Sequence, residues 1–311
     1  MDIAEKLRLA INELPEGEHT PGLTAIVRHV EAAIGHYERA DKRYEEDAYT
    51  DCIYRTNQVY EGSLKEAFRI LAEEPPSKKT LFEIENYFSG KDGIRTRVLK
   101  QMTRYREEYR NPSTHDYKLD FDENEALLAI LSVCAFAKLL VTKMKLKMET
   151  DLLKNNPEFH PDAKIQQKSA TRGDFAKELA FSLEEFLNSD SDTVGLGSRE
   201  PLALVTAFFE KNGLQIVRDV YMESDGTWFE WDMIVSNKSG FKVPVEVKTS
   251  RGRYSRSIAA SRIDQVRSFA LAGEFDFALL VEGVGRGEKY ICHDVVKSDQ
   301  LTIYRVGREL R

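Results

Sequence analysis

Cysteine is scarce in this sequence, and it is scattered. Cys52, Cys134 and Cys292 stand far apart with no Cys-x-x-Cys pair, and although His293 follows Cys292, neighbours on a strand point to opposite faces. A cysteine-built zinc site is thereby excluded, and the free thiols suit a reducing cytoplasm. Apolar runs long enough for a membrane are missing too. The opening stretch MDIAEKLRLAINELPEG is charged and lacks the apolar core of a secretory signal. The most apolar run, Ala126 to Val141, falls short of the roughly 20 residues a span requires and contains Lys138, so a buried bundle helix is expected and no membrane partner. Repeats and low-complexity tracts are absent. So is an excess of positive charge: the formal net charge is −7, and the bulk field does not draw nucleic acid.

What is present divides the chain. At 311 residues it is long for one core, and an α+β, two-domain organisation is expected. From Thr20 to Lys147 apolar residues recur every three or four positions, with breaks at EEPPSKK, SGKDG and RNPSTHDYKLDF, so residues 1–150 read as an all-α bundle. Asp151 to Ala170 is polar with two prolines and reads as a linker. Residues 171–311 change pattern: two helices, three strand signals, a helix, then strand again, an αβββαβ mixed domain. Charge is also uneven. The first fifty residues are acidic, whereas Lys242 to Arg267 carries seven Lys and Arg against Glu246 and Asp264.

The segment VPVEVKTS, Val243 to Ser250, puts Glu246 and Lys248 on one face of a strand and the valines on the other. WFEWDMIV and FKVPVEVK flank the turn-like SNKSG and should form an antiparallel hairpin. Folding about that turn sets Asp232 beside Pro244 and diagonal to Glu246. Two carboxylates in one patch repel, and a hard divalent cation relieves that repulsion, so Mg2+ or Mn2+ is the expected cofactor. A half-solvated hairpin with an ordinary ion pair is the bland alternative.

Asp232, thirteen intervening residues and then Glu246-Val247-Lys248, after a helix led by GSREPL, resembles the PD-(D/E)xK nuclease superfamily over roughly residues 172–311. That resemblance implies a restriction-endonuclease-like fold. It also implies metal binding by Asp232, Glu246 and the Val247 carbonyl, support from Glu200, and orientation of the attacking water by Lys248. Gln265 to Phe269 is similar to the QxxxY motif of some branches, with Phe269 in place of tyrosine. Arg251, Arg253, Arg256 and Arg262 would hold nucleic-acid phosphates.

Arg110 and His115, in YRNPSTHDY, resemble the Rx4-6H motif of the HEPN family over roughly residues 20–147. Pro112 is expected to stop the preceding helix, leaving His115 in a loop. The resemblance implies a homodimer and, in active members, metal-independent RNA cleavage with His115 as general acid or base, Arg110 on the phosphate and Asn111 in support. Arg95, Arg97, Lys100, Arg104 and Arg106 would form a basic approach for RNA. Capping of helix carbonyls is the plainer role for such residues. His29, His36 and His160 show no partner in the sequence. Three readings stand side by side: a metal-dependent nuclease acting on DNA in preference, set by analogy in prokaryotic defence; a HEPN-type ribonuclease with a recognition domain; and a non-catalytic dimeric nucleic-acid-binding adaptor.

Overall fold

In the computed structural model the chain forms two compact units, Met1–Met148 and Glu149–Arg311. The structure describes residues 3–43, 45–90, 94, 96–115, 118–159, 165, 169–189, 200–224, 226–248, 256–283, 289–298 and 300–308, less the side chains of residues 96, 97, 114, 115, 256 and 308.

The first unit is helical: α1 (Ile3–Asn12), α2 (Thr20–Arg43), α3 (Asp47–Leu71), α4 (Leu81–Gly90), α5 (Thr96–Tyr105), α6 (Asn111–His115) and most of α7 (Glu123–Asn155). Helices α2 and α3 pack along each other, burying Leu23, Ile26 and Val30 from one and Ile53, Tyr60 and Leu64 from the other. Their three- and four-residue spacing lines one helical face with apolar groups. Two capping boxes start helices: Thr80 and Glu83 exchange hydrogen bonds before α4, and Asp122 and Glu125 do so at α7. Helix α7 is long and apolar enough to cross a membrane by length and composition, and half of its most apolar window is buried inside the protein. Ala126, Val133, Ala137 and Leu140 belong to the first unit's core.

Pro112 does not stop its helix. A π-helical turn, Arg106–Arg110, follows α5 and leads straight into α6. The Asn111 N–H bonds the Arg106 carbonyl five residues back, and Pro112, which brings no N–H of its own, follows the widened turn inside α6. A buried network pins this turn to α3. The Tyr105 hydroxyl reaches Thr56 Oγ1 (2.9 Å) and Asn57 Oδ1 (2.8 Å), Asn57 donates to Ser113 Oγ (2.8 Å), and Ser113 donates to the Arg110 carbonyl (3.0 Å).

The second unit holds α8 (Arg172–Ser189), α9 (Pro201–Lys211), β1 (Gln215–Ser224), β2 (Thr227–Ser236), β3 (Lys242–Lys248), α10 (Arg256–Ala272), β4 (Phe277–Glu282), β5 (Tyr290–Lys297) and β6 (Thr302–Arg308). The six strands form one mixed sheet in the order β1-β2-β3-β4-β6-β5, with β3, β4 and β6 parallel. Strand β6 extends the expected αβββαβ order and inserts between β4 and β5. Ala278 and Leu280 of β4 pack with Val266 and Ala270 of α10, whereas Phe277, on the alternate face, meets Gly173 of α8. The sheet therefore carries helices on both faces, and β3 is buried from Val243 to Val247. Part of the expected linker belongs to this unit: Asp151–Asn155 end α7, Phe159 and Ile165 are buried, and Lys211 Nζ donates to the Phe159 carbonyl (2.7 Å).

Candidate active site

Asn237 fixes the β2–β3 turn. Its N–H bonds the Phe241 carbonyl (3.2 Å), and its Oδ1 accepts from the Ser239 and Phe241 N–H groups (3.0 Å each). Gly240, at φ 80°, returns its N–H to the Asn237 carbonyl (3.0 Å), a left-handed position that glycine adopts without strain. This closure pairs Met233 with Val245 and Ile234 with Pro244, two residues away from the expected register that set Asp232 beside Pro244, so the faces are kept. Asp232 instead comes level with Glu246, where the backbone ladder opens and side chains replace it. The Asp232 N–H donates to Glu246 Oε2 (3.3 Å), and the Val247 N–H donates to Asp232 Oδ2 (2.7 Å).

Glu246 is not on a half-solvated face, because β3 lies in the middle of a covered sheet and leaves it 4% exposed. A buried carboxylate is costly unless paired. Lys248 Nζ supplies the pairing by donating to Glu246 Oε1. Burial first, and then the Glu246 charge, hold the Asp232 carboxyl above the usual carboxylate range, against the Val247 N–H and the Lys248 ammonium. Burial raises Glu246 as well, against its hydrogen bond from Lys248. Among the described residues, two acids therefore share one neutralising cation. Asp232 Oδ1 accepts no hydrogen bond from the described residues. Oxygen-only donors, shared repulsion and a spare oxygen suit a hard cation such as Mg2+.

Two further acids bear on the pair. Asp219 stands across β1 from Asp232, between the pairs Arg218–Met233 and Val220–Trp231, with its backbone at φ 49°, and its charge raises Asp232 further. Glu230, two residues before Asp232, acts on Glu246 and accepts from the Tyr221 hydroxyl. Sequence reasoning missed both, although acids at alternate positions in Glu230-Trp231-Asp232 were a visible signal.

The other candidates lie elsewhere. Glu200 is exposed at the N-cap of α9, and among the described residues no three Asp, Glu, His or Cys side chains gather closely enough to hold a metal, so Glu200 does not join Asp232 and Glu246. Gln265 is exposed on α10, while Phe269 stacks on Phe229 (5.2 Å between centroids) as a core residue. Arg262 donates to Glu282 Oε1 (3.2 Å), and Arg305 Nε donates to Glu282 Oε2 (2.7 Å), burying that carboxylate beside Lys248 in the β3–β4 register. Arg251 and Arg253, like the Arg256 side chain, lie outside the described residues.

In the first unit Arg110 donates to Asn111 Oδ1 (3.1 Å), and the His115 side chain lies outside the described residues, as do Arg95, the Arg97 side chain and His160. The expected basic approach is partly neutralised: Arg104 pairs with Glu108 (2.7 Å) and Arg106 with Glu85. His36 has partners after all, Asp51 (3.5 Å) and Arg39. Burial and then Arg39 hold its imidazole below the ordinary value. His29 is lowered likewise, by burial and then Arg55.

No protein-family model matches the chain, and no curated protein or solved structure matches it.

Proposed function

We propose that the second unit is a metal-dependent nuclease of the PD-(D/E)xK kind, hydrolysing phosphodiester bonds with DNA as the favoured substrate. One observation carries this reading: where β2 and β3 part, Asp232 and Glu246 cross to each other's strand, and Lys248 sits on Glu246. Asp232, Glu246 and the Val247 carbonyl would hold Mg2+ or Mn2+, which when bound supplies water activation and neutralisation of phosphate charge. The residues' own work is then defined. Asp232 and Glu246 would present carboxylate oxygens to the cation, which offsets the repulsion that raises both groups. Lys248, relieved of being the sole counter-charge to Glu246, keeps its ammonium beside the attacking water, where it favours hydroxide and the anionic transition state. Gly283 donates its N–H to the Lys248 carbonyl (3.1 Å) and so steadies the end of β3.

Incubating the protein with supercoiled DNA, single-stranded DNA and total RNA, with Mg2+ and with chelator, tests the proposal. Divalent-dependent cleavage that Asp232→Ala and Glu246→Ala each abolish is expected. Wild-type rates in either variant would sink the assignment.

The first unit supports a second reading, a HEPN-like dimer with a ribonuclease site at Arg110 and His115. Its support is the pinned π-helical turn that carries Arg110, together with the exposed Leu127, Leu128 and Leu131 on α7, an apolar face suited to a second copy. RNA cleavage that survives chelator and is lost in Arg110→Ala distinguishes it from the first.

A further inference from the structure

The β1–β2 ribbon runs on past the point where β2 leaves β3: β1 and β2 stay paired from Gln215–Ser236 out to Ser224–Thr227, while β3 pairs only with Met233–Ser236. The two faces of this extension differ sharply. Phe229 and Trp231 are buried, and both pack on Phe269 of α10. The alternate positions, Trp228 and Glu230, face outward, with Glu223 and Tyr221 opposite them on β1. Trp228 is 65% exposed, and among the described residues its ring has no aromatic or cationic neighbour and its indole N–H no acceptor.

A tryptophan left in water at the tip of a ribbon forgoes the 150–250 Å2 of burial that its ring offers a partner. Its position says what partner fits. Trp228 shares its face with Glu230, whose carboxylate acts on Glu246, and it lies four residues along β2 from Asp232, about 13 Å at the usual strand rise. Glu223 and Glu230 flank it and repel phosphate, so a nucleic acid lying over the carboxylate pair meets the ribbon tip with its bases and keeps its backbone away. A base in a duplex already has both faces stacked, and an unpaired base has a free one. Resting on the nuclease reading above, we infer that Trp228 is a stacking subsite for an unpaired nucleobase about 13 Å from the bond that is cut.

The chain contains two tryptophans, and Trp231 is fully buried, so a fluorescence change on titration belongs to Trp228. Full-length protein in chelator is titrated with a single-stranded oligothymidylate and, separately, with a duplex of equal length, reading tryptophan emission and the anisotropy of a label on the nucleic acid. Saturable quenching by the single strand is expected, weaker with the duplex. Trp228→Ala should abolish the quenching and weaken single-strand binding about 5- to 100-fold, with Trp228→Phe retaining most of the affinity. Trp231 emission that keeps the blue-shifted maximum of a buried indole in both variants, and shifts to the red only in denaturant, shows that the unit still folds. Anisotropy that reports binding without quenching overturns the inference and leaves the nuclease reading intact. Quenching without Mg2+-dependent cleavage keeps the subsite and removes the nuclease. Absence of any binding overturns the inference outright, even if a protein partner later proves to cover the ring.

Discussion

At Asp232 and Glu246 a half-buried and a buried acid share one lysine among the described residues, and this imbalance predicts opposite effects on stability and on activity. Asp232→Asn keeps an oxygen for the Val247 N–H but removes one of the repelling charges. The variant should lose divalent-dependent cleavage yet melt higher than wild type in chelator at alkaline pH, by about 2–4 °C for each kcal/mol of repulsion relieved. A lower melting temperature would mean that the second charge is already compensated. Lys248→Ala separates binding from rate. Because Lys248 competes with a cation for Glu246, the variant should bind Mg2+ at least as tightly by calorimetry while cleaving roughly a hundredfold more slowly. Loss of Mg2+ binding would show that Lys248 organises the site instead of acting within it.

Strand β6 and the π-helical turn are the elements that the sequence concealed, and each was hidden by one residue. At β6 the alternation that Leu301 and Ile303 begin is broken by Arg305, which reads as solvent-facing but is fully buried because Glu282 of the neighbouring strand receives it. Gly307 completes the fit: a Cβ there would stand 2.8 Å from the Arg305 guanidinium. No local pattern announces a partner supplied from β4. Pro112 reads as a stop for the same kind of reason, since the network through Asn57 and Tyr105 that supports the π-helical turn comes from α3 and α5. The amphipathic helices and the Asp232–Glu246–Lys248 trio were legible because their spacing is local. Their register was not, since it depends on how Asn237 closes the turn. For Glu282→Gln, a cost of about 3–5 kcal/mol to the second unit is expected, read from chemical denaturation, because the buried Arg305 loses its counter-charge. A cost below about 1 kcal/mol would place the Glu282–Arg305 pair in effective contact with solvent.

The molecule as a whole has two cores, and calorimetry should resolve two transitions. Mg2+ should shift only that of the second unit, since a ligand stabilises what it binds. Without metal, the acid pair adds a pH dependence of definite sign. Both carboxyls are raised above their unfolded values, so the folded state holds more protons, and their contribution to stability falls as pH rises from about 4 through the raised folded values. Saturating Mg2+ should flatten or reverse that slope in the second transition. A slope that ignores the metal would place the cation elsewhere. The strand order bears, finally, on how the chain emerges during synthesis. Strand β5 is made before β6 yet, among the described residues, joins the sheet only through it, so at about 5–20 residues per second β5 waits roughly a second without a strand partner, held by Asn188 of α8 on Tyr290, and Glu282 waits as long for Arg305. A nascent chain stalled on a linker appended after Lys297 should therefore be readily digested in its second unit, and one stalled on the same linker appended after Arg311 should resist: the sheet is closed from within by a strand that arrives late.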